Sequence, residues 1–152
     1  MTTYTTDQNA VRSYLEDESS AFAGHAERLY FPVNAGEVAQ VLTEATRAGV
    51  PVTISGGGTS ITGARVPTRG GWIMAMDRLV TPEGPVEDSQ RQGEASGGPG
   101  GDGFVAIAAG DGAILLDADR RRAVVPAGTR LSELDAALAP HGLFYPPTPT
   151  ET

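Results

Sequence analysis

The stretch Ser55-Gly56-Gly57-Gly58-Thr59-Ser60-Ile61-Thr62-Gly63 is where this sequence could do chemistry. Glycine reaches backbone angles closed to other residues, and a bare main chain lets a ligand approach closely. Successive N–H groups turned into one concavity form a nest that suits an anion. Thr59 and Ser60 add hydroxyl donors, and Gly63 allows a second turn. Backbone dipoles meet the charge in such a nest, so the absence of lysine is no obstacle. Glycine content alone leaves a plain flexible loop open beside the phosphate nest. The stretch lacks the lysine of a nucleotide-triphosphatase loop. Its glycines miss the dinucleotide G-x-G-x-x-G spacing, and Ala64-Arg65-Val66-Pro67 does not open a helix, so a Rossmann site fits poorly.

Other reactive residue types are sparse. His141 falls in the last turn of an expected helix, where a cation suits the dipole, and His25 in a polar surface segment. Two histidines without cysteine offer no metal site. Ser55, Thr59 and Ser60 have no His–Asp pair and no G-x-S-x-G elbow to activate them, which argues against hydrolase chemistry. No residue is assigned a catalytic role. Asp77 reads as a turn or cap, with a ligand contact as the alternative, and Trp72 as core. Tyr145 reads equally as packing or as a ligand contact.

The elements that must position the glycine stretch are legible around it. Residues 28–33 (RLYFPV) read as a strand. Asn34 and Glu37 have capping-box spacing, and Val38, Val41, Leu42 and Ala45 recur at helical spacing behind them. Gly49 ends that helix, and Pro51–Ile54 restarts as a strand leading directly into the glycines. Strand–helix–strand in so short a span predicts parallel strands with a right-handed crossover. Trp72–Met76 reads as a further strand. Phe104–Ala109, Ala113–Leu116 and Ala123–Val125 read as short strands joined by Gly and Asp turns. Leu131–Ala139 reads as a second helix with Thr129 as its N-cap, followed by a last strand at 143–145. The fold class expected is α+β, close to α/β: a strand–helix–strand lobe, then a mixed sheet with a second helix. Residues 1–26 read as a polar lead-in with a helical pattern at Val11, Tyr14 and Leu15, and 27–152 as the domain. Residues 81–103, rich in Gly, Pro, Glu and Gln, read as a flexible insertion.

Composition narrows the partners. The 152 residues carry a net charge of −8, and every one of the eleven basic residues is Arg. So acidic a chain argues against nucleic acid or an anionic membrane as the main partner. The run Arg120-Arg121-Arg122 follows Asp117 and Asp119 and reads as a solvated turn rather than an anion site. The absence of cysteine excludes disulfides and thiolate chemistry and is compatible with a reducing cytoplasm. No stretch approaches the roughly 20 apolar residues of a membrane span, so a soluble, cytoplasmic chain is expected.

In combination, these segments resemble the FAD-binding domain of the FAD-linked oxidase family, which has the vanillyl-alcohol oxidase / p-cresol methylhydroxylase-type (PCMH-type) fold. The likeness is greatest to its glycolate oxidase and D-lactate dehydrogenase branch. Its marks are the helix and strand before GGGTSITG, the strand after it, A-G-x-x-x-x-x-L from Ala127, and P-P-x-P at 146–149. They cover residues 14–79 and 104–152. The resemblance implies that Gly56, Gly57, Gly58, Thr59, Ser60 and Gly63 line the FAD pyrophosphate and that Gly128 sits near the cofactor. It implies further that Pro147 and Thr148, within Pro146–Pro149, pass beside the flavin. Some members tether the flavin through a histidine in the glycine loop. Thr59 holds the matching position, so FAD bound non-covalently is expected. The activity implied is oxidation of a small-molecule 2-hydroxy acid, of the glycolate or D-lactate type, by hydride transfer to FAD. The family continues past the position of Thr152 with a second FAD segment and a substrate domain that carries the catalytic residues. The chain is therefore expected to be the N-terminal portion of such an enzyme. The alternative is a structural half-domain that binds no cofactor without those segments.

Overall fold

The computed structural model describes residues 2–82 and 103–146. The chain forms two compact units, Met1–Leu79 and Val80–Thr152. Most of the segment expected to be a flexible insertion (81–103) lies outside the described residues, as do Pro147 and Thr148.

The first unit is built on a four-stranded sheet. Its strands are β1 (Tyr4–Thr5), β2 (Arg28–Tyr30), β3 (Val52–Ser55) and β4 (Trp72–Ala75), in the order β1-β2-β4-β3. β2 and β3 both run parallel to β4, which lies between them, and β1 pairs antiparallel with β2. The expected parallel pair is thus a parallel set of three, with WIMAM in the middle. All four residues of β4 are buried, which explains its unbroken apolar run: a central parallel strand has no wet face.

Alternation along β4 feeds two cores. Trp72, Met74 and Met76 pack with Tyr30, Val41 and Ala45. Ile73 and Ala75 pack with Val11, Ala26 and Leu29 on the opposite face. Helix α1 (Gln8–Arg12) supplies Val11, and Tyr14 and Leu15 add to that second core. The expected lead-in is therefore wall and sheet edge of this unit.

Helix α2 (Ala35–Ala48) begins as expected. The Asn34 side chain accepts the Glu37 N–H at 2.9 Å, and the Val33 N–H donates to Glu37 Oε2 at 3.0 Å. Gly49 ends it in the left-handed conformation at φ 65°. Val41 and Ala45 are buried and Val38 partly so, but Leu42 lies off the covered face and is exposed.

The second unit differs from expectation in three ways. Strands β5 (Val105–Ala109), β6 (Gly112–Asp117) and β7 (Arg122–Val124) form a wholly antiparallel sheet rather than a mixed one. The connections through Gly110-Asp111 and residues 118–121 are too short for anything but hairpins. Helix α3 (Leu131–Leu138) covers this sheet with Leu134 and Leu138 on Ala109, Ile114 and Leu116.

No strand forms at 143–145. The Leu143 N–H donates back to Leu138 O and the Tyr145 N–H to Asp135 Oδ1, both at 3.3 Å, so these donors serve the end of α3. Thr129 is not the N-cap either. Its N–H closes a turn on Pro126 O, and Arg130 is the cap, with its N–H donating to Glu133 Oε2 at 3.0 Å.

Ile73 is fully buried at the centre of β4. Ile73→Ala should therefore lower the stability of the first unit by about 2–5 kcal/mol, from lost transfer energy plus the cavity. Chemical denaturation monitored by Trp72 fluorescence measures this.

Candidate functional site

The glycine loop leaves the carboxyl end of β3, and the carboxyl ends of β2 and β4 lie on the same side of the sheet because all three strands are parallel. Ligands of open parallel sheets bind at that edge. The Met76 N–H donates to Ser55 O at 3.0 Å, the last rung before the chain turns away. Beyond it, the N–H groups of Gly56, Gly57, Gly58, Thr59 and Ser60 have no hydrogen-bond acceptor among the described residues. They form a run of unspent backbone donors on a loop that is exposed or half-exposed throughout.

The glycines differ in what they do. A Cβ on Gly56 or Gly57 would meet nothing within 4 Å, and neither has a positive φ. The fold itself therefore does not require glycine there; open approach to the main chain does. Of the three glycines, only Gly58 uses the freedom to reach angles closed to other residues, at φ 89°. A Cβ there would strike Arg65 Nη1. Gly63 is structural. It sits at φ 76°, and a Cβ would come within 2.6 Å of the Phe22 ring. Its N–H is already given to Asp17 Oδ2 at 2.7 Å, so Gly63 shapes the loop without offering a donor.

The hydroxyls also divide. Ser60 Oγ accepts the Thr62 N–H at 3.3 Å and lies 3.1 Å from Thr62 Oγ1, closing a turn within the loop. Thr59 is exposed, with no partner for its hydroxyl among the described residues.

Residues 13–24 hold the loop from outside the sheet. Besides Asp17 on Gly63, the Glu18 N–H donates to Ser60 O at 3.1 Å. Asp17 is buried and also accepts the Ser19 hydroxyl at 2.6 Å and the Ser19 N–H at 3.1 Å. The Ser19 hydroxyl foremost, then the Gly63 and Ser19 N–H groups, hold its carboxyl below the usual carboxylate range despite burial. Sequence reasoning passed over Asp17. The available signal was the middle acid of Glu16-Asp17-Glu18, just before two serines in a polar segment, and nothing local says that it reaches a residue 46 positions away.

Asp77, read as a turn or cap, lies in the turn that the Leu79 N–H closes on Met76 O, and its side chain accepts the Tyr14 hydroxyl at 2.7 Å. Burial first, then this bond to a carboxylate, pushes the Tyr14 pKa up to about 12, so the phenol stays a donor. Arg65 lies over the Tyr14 ring at 5.5 Å and Arg78 over Phe31 at 4.7 Å.

Trp72 is core, buried with Tyr30 5.3 Å away and Arg28 over its ring. His25 and His141 are both exposed. A cavity of about 600 Å³, lined by Leu42, Ala45, Thr46, Gly49, Val50, Pro51, Val52 and Arg69, lies at the other end of β3 and contains none of the candidate residues. Chemistry of ligand binding points to the loop; the cavity is a cleft beside the end of α2.

In the second unit, Gly128 lies in the turn between β7 and α3. The Arg120–Arg122 run reads as expected. Asp117 is buried and takes Arg120 Nη1 at 3.0 Å and Arg122 Nη2 at 3.2 Å, so two of these charges serve the turn.

Compared with known proteins, residues 26–100 match the family described as FAD binding domain. The chain is 30% identical over 118 residues to a D-lactate dehydrogenase of Archaeoglobus fulgidus, covering 78% of this chain and 19% of that protein. It is 31% identical over 120 residues to an FAD-linked oxidoreductase of Mycobacterium tuberculosis, covering 79% and 19% respectively. The chain thus spans about a fifth of the length of these relatives.

The Asp17 clamp gives a pH signature. A carboxyl whose folded pKa is depressed stabilises the fold above its unfolded value, 3.8, and loses that contribution as pH falls through the lower folded value. The NMR shift of the Gly63 amide should hold steady from neutral pH to below 3.8 and move only under more acid conditions. In Asp17→Asn, that late acid transition should be absent.

Proposed function

This chain belongs to the FAD-linked oxidase family and uses FAD, and from that premise we propose that residues 56–60 bind the FAD pyrophosphate through their backbone. The observation that carries the reading is the row of unspent N–H groups at the carboxyl edge of a parallel sheet. Gly56 and Gly57, with open space where a side chain would stand, fit a ligand approaching the main chain. A diphosphate offers several acceptor oxygens to such a nest, and backbone dipoles answer its charge without lysine.

Each residue then has a stated part. Gly56 and Gly57 keep the approach open, and Gly58 takes the turn. Thr59 presents its hydroxyl, and Ser60 fixes the following turn. Gly63 and Asp17 hold the far end of the loop in place. Gly128, Pro147 and Thr148 remain part of the proposed cofactor site on the family resemblance. Thr59, where some relatives carry a tethering histidine, supports non-covalent binding.

For the intact protein we infer oxidation of a small 2-hydroxy acid, with the likeness to a D-lactate dehydrogenase as support. FAD, when bound, supplies the acceptor for a hydride from the carbinol carbon. The chain described here binds and orients that cofactor. Among its described residues no helix is long and apolar enough to cross a membrane.

Gly57→Val tests the loop directly. Because a Cβ at Gly57 meets nothing, the fold should be retained, with an unchanged circular dichroism spectrum and melting temperature. Blocking two or more charged hydrogen bonds should weaken FAD binding roughly 100-fold or more. Flavin absorbance of the purified protein and FAD titration read this out. Acid precipitation should release the flavin of the wild type into the supernatant. Undiminished flavin content in Gly57→Val would assign the loop another role.

A further inference from the structure

We propose that Arg65 supplies the positive side-chain charge of the phosphate site at residues 56–60, an inference that rests on the FAD reading above. A backbone nest can hold a diphosphate by dipoles alone, yet a full charge close by strengthens it. These 152 residues hold no lysine, so a side-chain charge supplied from within them that is permanent at neutral pH is an arginine. Arg65 stands two residues beyond Gly63, but its side chain turns back beneath the loop. Its Nη1 occupies the space that a Cβ on Gly58 would take, and its Cζ lies only 3.3 Å from that Cβ position. Gly58 is therefore a glycine partly because a guanidinium is packed against it.

The guanidinium is held but not used up. Nη2 donates to Ser13 O at 3.3 Å, and the plane lies over the Tyr14 ring. Nε is buried and has no hydrogen-bond partner among the described residues. An unpaired buried donor on a cation is costly, and an anion seated on the loop would lower that cost. The charged groups around it are Asp17, which its field helps keep ionised, and the Asp77–Tyr14 pair. Asp17 is already occupied by Gly63 and Ser19, and Asp77 by Tyr14, so neither takes the Arg65 hydrogen bonds. An arginine suits this place better than a lysine, since its planar fork can keep one donor on Ser13 while others face a phosphate oxygen.

The test uses the intact purified protein, as wild type and as Arg65→Met and Arg65→Lys, titrated with FAD and with riboflavin, which lacks the diphosphate. Arg65→Met should weaken FAD binding roughly 10- to 100-fold, the effect of one charged hydrogen-bonding group. It should leave riboflavin binding within about twofold, and Arg65→Lys should fall between. Wild-type affinity for FAD should drop as salt is raised from about 0.05 to 0.5 M, and this dependence should flatten in Arg65→Met. Unchanged FAD affinity in Arg65→Met, or equal losses for FAD and riboflavin, would overturn the proposal and leave Arg65 a packing residue. Should Arg65→Met fail to fold, Arg65→Lys and the wild-type salt dependence decide, and salt-independent wild-type binding counts against it. A wild type that takes up no FAD overturns the reading of the loop itself, an outcome distinct from FAD binding that ignores Arg65.

Discussion

The hydrogen bond from the Gly63 N–H to the buried Asp17 carboxylate holds this site together. A glycine-rich loop is entropically loose, and each ordered residue costs about 1–2 kcal/mol of backbone freedom. The sheet fixes only one end of this loop, where Ser55 O takes the Met76 N–H. The other end is fixed by the N-terminal segment, through Asp17 on Gly63 and the Glu18 N–H on Ser60 O. With both ends fixed, the stretch between can leave its N–H groups unpaired among the described residues without collapsing onto the sheet. On the proposed reading, that preorganisation is what would separate a binding nest from the flexible loop that the same glycines could equally have made.

The clamp sets an electrostatic problem that the surroundings answer. A carboxylate beside an anion site would repel the ligand if its charge were unmet. Asp17 spends its charge on two N–H groups and a hydroxyl, and the Arg65 charge adds to what keeps it ionised. The same logic recurs in the second unit, where Asp117 is buried against Arg120 and Arg122. In a chain of net charge −8, Arg120 and Arg122 are spent on the buried Asp117 and Arg28 on Glu44.

Much of this was legible in sequence because it is local. The Asn34 cap, the Gly49 stop and the buried run Trp72–Met76 are signals spanning a few residues, and each appears in the structure as read, although Glu37 reaches back to the Val33 N–H rather than to that of Asn34. The resemblance to FAD-linked oxidases came from the combination of such segments and is borne out by the family match and the relatives. One miss is local, the N-cap at Arg130 in place of Thr129, and the others depend on longer-range placement. The strand expected at 143–145 has strand-like residues, but its donors are drawn to Leu138 and Asp135 of the preceding helix. The position of β4 between β2 and β3 is a matter of sheet order, which periodicity does not encode. Asp17 and Arg65 escaped notice because their roles depend on partners brought near by folding.

The distribution of glycine roles narrows what the loop can be. Were it only a turn, each glycine would answer to backbone angle or to crowding, as Gly58 and Gly63 do. Gly56 and Gly57 answer to neither, since a side chain at either would stand in open space at ordinary φ. Glycine is a costly choice there, less favourable in the unfolded-chain balance than alanine. The fold gains nothing in return. On the reading proposed above, what is gained is bare N–H groups along the side from which the diphosphate would come, the carboxyl edge of three parallel strands. The two glycines that the fold does not need are therefore the strongest structural sign that the loop exists to bind.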